Sequence, residues 1–282
     1  MVRRKGLRVL LVVVTLVAAL GIGVLIALYL VPVPQIAVIR VEGDIWSQYT
    51  AQLRDAMQAA AGNRAVSAVV LEIVSPGGEV TASEDLYYQV LKLREQKPVI
   101  ASIGEMAASG AYYTAVAADQ IYAKPGSSVG NVGVISILPS PDLVDEELMT
   151  TGPFKLSGGP QLTAIQQMEM LKDTFVMAIL TQRGDRLQVG PEVLSRGEIY
   201  VGLQAWQMGM VDEIGSVSDA VAAAAKMAGV RHYRVVDRTP APLEVDLWID
   251  VEIEERRTAS TVASPPARMP PGFYYRYVEL PQ

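Results

Sequence analysis

The longest apolar stretch of the chain lies near its amino terminus. Residues 9–31 form an uninterrupted run of 23 residues, apolar except for Thr15 and Tyr29. As a helix this run would be roughly 34 Å long, enough to cross a hydrocarbon core of about 30 Å. A cleavable signal peptide would have a shorter apolar core followed by a small-residue cleavage site, and the run offers no such site. The pattern predicts a transmembrane helix over 9–31, with a buried core helix as the alternative.

Charge is distributed unevenly on the two sides of this run. Residues 1–8 contain Arg3, Arg4, Lys5 and Arg8 but no acidic residue, which predicts a cytoplasmic amino terminus and an extracytoplasmic body. The formal net charge is −6, and without these four residues 20 basic and 30 acidic side chains remain. A body of about −10 repels phosphate backbones, so no nucleic-acid partner is expected.

After the predicted transmembrane helix, apolar runs alternate with segments in which apolar residues have helical spacing. Ala65 to Val74 is an almost continuous apolar, β-branched run, typical of a strand covered on both faces. Strands are predicted over residues 36–41, 65–74, 98–103, 120–123 and 132–137. Helices are predicted over residues 52–61, 82–96, from 109 onward, 164–186 and 217–229, with a loop over 138–162. The alternation predicts an α/β domain over 35–237, followed by a peripheral extension over 238–282 that is acidic, Pro-rich and aromatic.

Composition narrows the chemistry. The 282 residues include no cysteine and one histidine, His232. Disulfides, thiolate zinc sites, a cysteine nucleophile and a cluster of several histidine ligands are therefore excluded, and no metal or cofactor is expected. A Ser-His-Asp enzyme would have one candidate base. If the chain is a hydrolase, we expect it to use a base other than histidine.

Two short motifs are hard to explain by packing. The first is Ser75-Pro76-Gly77-Gly78, directly after a buried strand, where two glycines allow a close backbone approach; a plain turn is the simpler alternative. The second is Met106-Ala107-Ala108-Ser109-Gly110, in which small residues surround a serine at a predicted helix start. Unpaired N–H groups at a helix start stabilise a developing oxyanion, although an ordinary N-cap serine is the alternative.

In combination, these motifs resemble the signal peptide peptidase A family, membrane-anchored serine proteases of the Clp protease/crotonase superfamily. Further similar stretches follow at residues 112–123, 130–135 (GNVGVI), 197–202 (GEIYVG) and 209–215 (GMVDEIG). The chain departs from the family pattern at Asn131, where serine is usual, and at Ala111, where a second glycine is usual. The resemblance implies an α/β fold of Clp protease/crotonase-like stacked ββα units, preceded by one transmembrane helix.

The resemblance also implies a Ser-Lys dyad, which accounts for the shortage of histidine. Ser109 matches the nucleophile and Lys155 matches the general base, with Phe154 in place of the usual tyrosine. A lysine base needs a pKa lowered by desolvation, and we expect Phe154 and Leu156 to exclude water from the amine. Lys124, the other loop lysine, is the alternative base.

For the oxyanion hole, the resemblance implies the backbone N–H groups of Gly78 and Gly110, with Gly77 shaping the turn. The implied substrates are remnant signal peptides and other membrane-associated peptides, and the implied assembly is a homo-oligomer in the cytoplasmic membrane. Three alternatives stay open: a related membrane protease that cleaves stomatin-like C-termini, a crotonase-like acyl-CoA enzyme and an inactive scaffold. We further hypothesise that the aromatic tail, residues 272–280, lies in the substrate groove as an internal peptide.

Overall fold

The structure, a computed structural model, describes residues 11–23, 33–137, 151–152, 154–155, 157–241 and 272–276. Its strands are β1 (Gln35–Glu42), β2 (Val66–Ser75), β3 (Gly77–Glu79), β4 (Val99–Ala108), β5 (Gln120–Ala123), β6 (Ser128–Gly130), β7 (Ile135–Ile137), β8 (Ile199–Val201), β9 (Glu213–Ile214), β10 (Arg234–Asp237) and β11 (Gly272–Arg276). Its helices are α1 (residues 11–23), α2 (Ser47–Gly62), α3 (Val80–Arg94), α4 (Gly110–Ala115), α5 (Gln161–Arg183), α6 (Pro191–Leu194), α7 (Gly202–Gln207) and α8 (Val217–Met227).

Eight of these strands form one sheet. Its parallel strands follow the order β10-β1-β2-β4-β5-β9. Strand β6 also pairs with β4 in parallel, and β8 pairs with β6 in antiparallel orientation. The other three strands form a small antiparallel sheet in the order β3-β11-β7. The α/β class predicted from the alternating pattern is confirmed.

Helices cover both faces of the large sheet, which explains the continuous apolar runs in its central strands. On one face Ile39 of β1 belongs to a buried cluster with Leu53 of α2 and Leu86 of α3. On the other face Ile36 belongs to a separate cluster with Ala224 of α8. Successive side chains of a strand point to opposite faces, so a strand covered on both faces needs apolar residues at consecutive positions.

A buried ion pair connects the carboxyl-terminal end of α5 to this sheet. Both terminal nitrogens of Arg183 lie 2.8 Å from the carboxylate oxygens of Asp212, and the Arg183 side chain is 1% exposed. Arg183 Nε also donates to the carbonyl of Gly209, and Asp212 accepts the backbone N–H of Ile121 in β5. The pair thus joins α5, β5 and the segment that leads into β9.

Several element boundaries differ from those expected from the sequence. Helix α5 spans 161–183 rather than 164–186, because Gly184 leaves the helix with φ of 51°. In the predicted strand 132–137, only Ile135–Ile137 pairs as a strand. The extension expected to be peripheral contributes β11, which lies between β3 and β7.

The predicted transmembrane helix is described in part. Residues 11–23 form an exposed helix, and no helix within the described ranges is both long and apolar enough to cross a membrane. The rest of the predicted span, residues 9–10 and 24–31, lies outside the described residues, as does the basic flank 1–8. The transmembrane segment therefore stays a prediction.

Replacing Arg183 with methionine should lower the free energy of unfolding by about 3 kcal/mol, because Asp212 would lose its buried two-point partner and keep only the more exposed Arg186 at 3.1 Å. Urea unfolding of the two proteins measures this difference. The matched control is Arg196→Met, since Arg196 pairs with Glu198 at 3.5 Å with both side chains about half exposed or more. We expect that control to change stability by less than about 1 kcal/mol. Equal losses in the two variants would contradict the assignment.

Candidate active site

The two motifs that flank the candidate site meet at one edge of the large sheet. Strand β2 ends at Ser75, and its parallel neighbour β4 ends at Ala108. In the register of this pair, Ser75 lies opposite Ala107. Because the carboxyl ends of parallel neighbours lie at the same edge, the turn after β2 is adjacent to Ser109, which follows β4 directly.

Gly77 and Gly78 form this turn in an arrangement that other residues would not adopt. Gly77 has φ of 95°, and its N–H donates to the hydroxyl oxygen of Ser75 at 3.1 Å. A Cβ on Gly78 would lie 2.1 Å from the carbonyl oxygen of Ile45. Gly77 therefore supplies the backbone conformation and Gly78 the close approach between two chain segments.

Backbone pairing with Ile45 determines where Gly78 directs its N–H group. The N–H of Ile45 donates to the Gly77 carbonyl, and the N–H of Glu79 donates to the Ile45 carbonyl, both at 2.9 Å. Since alternate residues of a strand direct their polar groups to opposite edges, the N–H and carbonyl of Gly78 face away from Ile45. They face the edge of β3 on which β11 lies.

Ser109 occupies a strained position between β4 and α4. Its φ of 53° and ψ of −123° are unusual for a residue with a side chain, at a cost of about 1–3 kcal/mol. Ser109 is buried, and its own N–H donates to the carbonyl of Gly130 at 2.7 Å. An oxyanion at this serine therefore needs other donors. Gly110, the first residue of α4, has an N–H without a partner inside its helix.

The partner of the Ser109 N–H lies in a second constrained turn. Gly130 has φ of 113°, and a Cβ there would lie 2.9 Å from the carbonyl oxygen of Glu198. Asn131 has φ of 55°; its N–H donates to Glu198 at 2.7 Å and its side-chain amide donates to Gly197 at 2.8 Å. Asparagine tolerates this left-handed conformation better than most residues. Residues 130–135 and 197–202 thus contact each other, and the first of these segments also accepts the Ser109 N–H.

Aromatic packing supports the helix that follows Ser109. The rings of Tyr113 and Tyr87 stack with centroids 4.7 Å apart, and Phe175 of α5 meets Tyr113 edge to face at 4.8 Å. The Tyr112 hydroxyl donates to the carbonyl of Met210 at 2.9 Å. Burial raises the pKa values of Tyr112 and Tyr113 well above the ordinary tyrosine value, so both phenols are neutral near neutral pH.

Lys155, the predicted general base, is exposed to solvent, unlike the buried glycines of the two turns. It lies in an exposed turn before α5, where its N–H donates to the carbonyl of Gly152 at 3.4 Å. The expectation that Phe154 shields the amine is wrong for the isolated chain, because Phe154 is 49% exposed. Leu156, the other expected shield, lies outside the described residues. Gly78 and Ser109 lie in turns that follow the neighbouring strands β2 and β4, and Gly110 follows Ser109 in the chain, whereas Lys155 is solvent-exposed.

Two other lysines have definite positions. Lys124, the alternative base, is exposed at the end of β5. Lys97 is half-buried and donates to the carbonyls of Ala60 and Asn63 at the end of α2. Burial lowers the pKa of Lys97. Its hydrogen bonds to helix-end carbonyls give it a structural role.

Sequence reasoning missed two contributors to the site. Ile45 directs β3 through its backbone, and nothing in its side chain indicates this. Ser75 closes the turn at Gly77, and its position immediately before Pro-Gly-Gly was the available signal. Within the described ranges, no group of three or more histidines or carboxylates lies close enough together to hold a metal ion.

The fold and the candidate site place a serine between two glycine-containing turns at the carboxyl edge of an α/β sheet, an arrangement suited to the chemistry of a serine peptidase. Residues 92–231 match Peptidase family S49, and this part of the chain belongs to that family.

Protease 4 of Salmonella typhi is 30% identical over 222 residues, which are 74% of this chain and 35% of that protein. The chloroplastic serine protease SPPA of Arabidopsis thaliana is 27% identical over 194 residues, 64% of this chain and 28% of that protein. The chain thus spans about a third of the length of these relatives.

Among solved structures, one is similar in fold: the 1510-N membrane-bound stomatin-specific protease, a mutant in complex with a substrate peptide. The match covers 75% of this chain and 94% of the chain of that protease. Its TM-score is 0.51 at 16% identity, a likeness of fold.

Replacing Gly78 with alanine should slow labelling of Ser109 by a fluorophosphonate at least about 100-fold, because the new methyl group displaces the Gly78 N–H from the site. It should also lower the free energy of unfolding by about 1–3 kcal/mol. The matched control is Gly133→Ala, since a Cβ there meets nothing within 4 Å. Labelling and stability close to wild type in Gly78→Ala would disprove this role.

Proposed function

We propose that the chain is a membrane-anchored serine endopeptidase in which Ser109 is the nucleophile and Lys155 the general base. One observation carries the proposal: the Gly78 N–H faces away from Ile45, and the turn that contains it follows β2 as Ser109 and the start of α4 follow the neighbouring strand β4. Two backbone donors next to a serine hydroxyl are suited to bind the oxyanion of an acyl-transfer intermediate.

The reaction has two halves. In the first, Ser109 Oγ bonds to the scissile carbonyl carbon while its proton passes to the neutral lysine amine, and the oxyanion accepts hydrogen bonds from Gly78 and Gly110. The C–N bond then breaks, and the lysine returns the proton to the leaving amine. In the second half, water attacks the acyl-enzyme with the lysine as base, which releases the new carboxylate and restores Ser109.

A second copy of the chain completes the site in this proposal. A base must be desolvated to be neutral near neutral pH, and Lys155 is exposed in the single chain. The chain on both sides of Lys155 carries further exposed apolar side chains, at Phe154 and along the first half of α5 at Leu162, Ile165 and Met170. Contact between copies through this surface would bury Lys155 and its apolar neighbours together, which supports a homo-oligomer.

The proposed substrates are remnant signal peptides and other membrane-associated peptides. Support comes from similarity to serine protease SPPA and from the apolar run 9–31 with its basic flank. With that flank on the cytoplasmic side, the proposed catalytic domain lies outside the cytoplasmic membrane. Cleavage of stomatin-like C-termini is the alternative target, since the fold is similar to that of a stomatin-specific protease. Comparing kcat/KM for a signal-peptide sequence and a stomatin C-terminal sequence separates the two.

The dyad is tested with the detergent-solubilised full chain and a fluorogenic apolar peptide. Ser109→Ala and Lys155→Ala should each lower kcat/KM by about 100-fold or more, because each removes a group that acts in the transition state. The matched control is Lys124→Ala, which removes the other loop lysine and should keep wild-type activity. Wild-type turnover in Lys155→Ala, or loss of turnover in Lys124→Ala, would overturn the assignment of the base. Activity that stays flat from about pH 5 to about pH 9 would also exclude a lysine base.

Mixing the two inactive variants tests whether the dyad forms across an interface. If Ser109 and Lys155 come from neighbouring copies, an equal random mixture of Ser109→Ala and Lys155→Ala chains should regain about a quarter of wild-type activity, because a quarter of the sites receive both intact residues. Dyads formed within one chain would leave the mixture inactive. Affinity capture of one tagged variant, with detection of the untagged other in the same fraction, confirms that mixed oligomers form.

A further inference from the structure

Basic side chains collect at the edge of the large sheet where its parallel strands begin. Arg64 lies in the turn between α2 and β2, Arg231 lies in the turn before β10, and Arg234 is the first residue of β10. All three are exposed. Within the described ranges, none of them forms an ion pair with an acidic side chain. Their charges are therefore available to a partner outside the chain.

Backbone pairing places these arginines around the start of β1. The Gln35 N–H donates to the carbonyl of Ala65 at 2.7 Å, and the Arg234 N–H donates to the carbonyl of Pro34 at 2.9 Å. Strands β2 and β10 lie on the two sides of β1, and neighbouring strands are about 4.8 Å apart. Arg64 and Arg234 therefore flank the point at which the chain enters β1.

Helix ends add positive charge to the same edge. Lys92 lies in the last turn of α3 and Lys226 in the last turn of α8, and both are exposed. A helix that connects two parallel strands ends where the next strand begins, so both lysines lie at this edge. Glu95 and Asp185 are exposed carboxylates in the turns after α3 and α5. Five cations thus outnumber these two carboxylates.

The opposite edge of the sheet has the opposite sign. Glu42 ends β1 and Glu105 lies in the second half of β4, and both are exposed. Arg40 lies near the end of β1, but Glu72 and Asp237 pair with it at 3.1 Å each. Salt screens exposed charges beyond about 10 Å, so an approaching surface responds to the edge that it meets. The body is acidic as a whole, yet this one edge attracts anions.

The predicted membrane anchor joins the body at this basic edge. Three residues separate Val31, the end of the predicted span, from Gln35, the first residue of β1. Even a fully extended chain covers at most about 14 Å between these two residues. A bilayer that holds residues 9–31 therefore lies within that distance of the start of β1. Val33 and Met227 add exposed apolar side chains near the same edge.

We propose that the edge formed by Arg64, Arg231 and Arg234 binds the anionic lipid headgroups of the membrane in which the chain is anchored. The proposal rests on the function proposed above, because it assumes the membrane anchor. A guanidinium group pairs with phosphate oxygens through two parallel hydrogen bonds. Each basic residue close to an anionic membrane surface strengthens binding roughly fivefold, so the three arginines together contribute a factor of about 100.

Binding in this orientation directs the candidate active site away from the lipid. Strand β4 has ten residues, so Ser109 lies about 30 Å from the edge at which β4 begins. A peptide with one end still in the bilayer needs roughly nine extended residues to cover that distance. The arginine edge thus sets the distance between the membrane surface and Ser109.

The test uses the full chain in lipid vesicles, with a dye on one introduced cysteine and a quencher on the lipid headgroups. The chain contains no cysteine of its own, so each introduced cysteine is labelled alone. Gln96→Cys places the dye at the basic edge, before β4, and Gln48→Cys places it at the opposite edge, in the first turn of α2. Both glutamines are exposed. In phosphatidylcholine vesicles with about 30% phosphatidylglycerol, we expect quenching at residue 96 and little at residue 48.

Charge variants show whether the arginines cause this quenching. Replacing Arg64, Arg231 and Arg234 together with glutamine should lower the ratio of quenched to unquenched dye at residue 96 at least about tenfold. Sodium chloride at about 0.5 M should act in the same direction, because it shortens the screening length to about 4 Å. The matched control removes the same charge from three cations outside this edge, and it should leave quenching unchanged: Arg54→Gln, Lys124→Gln and Arg196→Gln.

Several results would refute the proposal. Equal quenching at residues 96 and 48 would do so, as would quenching at residue 96 that is the same in neutral and anionic vesicles or that survives loss of the three arginines. The competing partner is a nucleic acid. If the detergent-solubilised chain binds a labelled DNA duplex and the three-arginine variant does not, the edge belongs to that partner and the proposal is wrong.

Flotation of the vesicles distinguishes this failure from failure of the proposed function. A chain that does not float with the vesicles lacks the anchor, and then the membrane-anchored function and the lipid contact are both rejected. A chain that floats and cleaves peptides, but whose quenching ignores the lipid charge, rejects the lipid contact alone.

Discussion

The parallel pairing of β2 with β4 is the constraint on which the site depends. These strands carry the two turns of the site at the same edge, although Gly78 and Ser109 are about thirty residues apart in the chain. A shift of register by one residue would move every side chain of β2 to the other face of the sheet, which is buried in different surroundings. The apolar packing on both faces therefore also sets the alignment of the candidate catalytic groups.

Close contacts between backbones build the rest of the site. Gly78 lies against Ile45, and Gly130 lies against Glu198, at distances that leave no room for a Cβ. The second contact positions the carbonyl that accepts the Ser109 N–H and so holds the serine in its strained conformation. Because the proposed oxyanion donors are also backbone groups, the site depends more on the path of the chain than on polar side chains. This agrees with the scarcity of histidine and the absence of cysteine.

The small sheet connects this site to the end of the chain. One edge of β3 is satisfied by Ile45, and its other edge is the place where an extended segment pairs. An exposed strand edge attracts any extended chain, including a segment of the same protein.

Local sequence determined much of the fold. The β-branched run of β2, the spacing of α8 and the glycine turns each follow from residues adjacent in the chain, and β5 was predicted with its observed bounds. Ser109, Gly77 and Gly78 were recognisable because a serine among small residues and a Pro-Gly-Gly turn are local patterns. The short strands β3, β6, β8 and β9 were not predicted, since strands of two or three residues carry too little periodicity.

Tertiary structure decided what no local pattern encodes. The Gly78 N–H faces away from Ile45 because the residues on either side of Gly78 pair with Ile45. Arg183 is buried as the ion-pair partner of Asp212. In both cases the partners are close in space but distant in sequence. The tail was assigned to the groove as a hypothesis, but its register against Gly78 is a property of the sheet. The exposure of Lys155 likewise appeared only in the folded chain. The lack of cysteine and the single histidine narrowed the candidate chemistry, because composition can be read directly from the sequence. The pairing of β2 with β4 determined which turns lie side by side, because strand pairing joins residues that are distant in the chain.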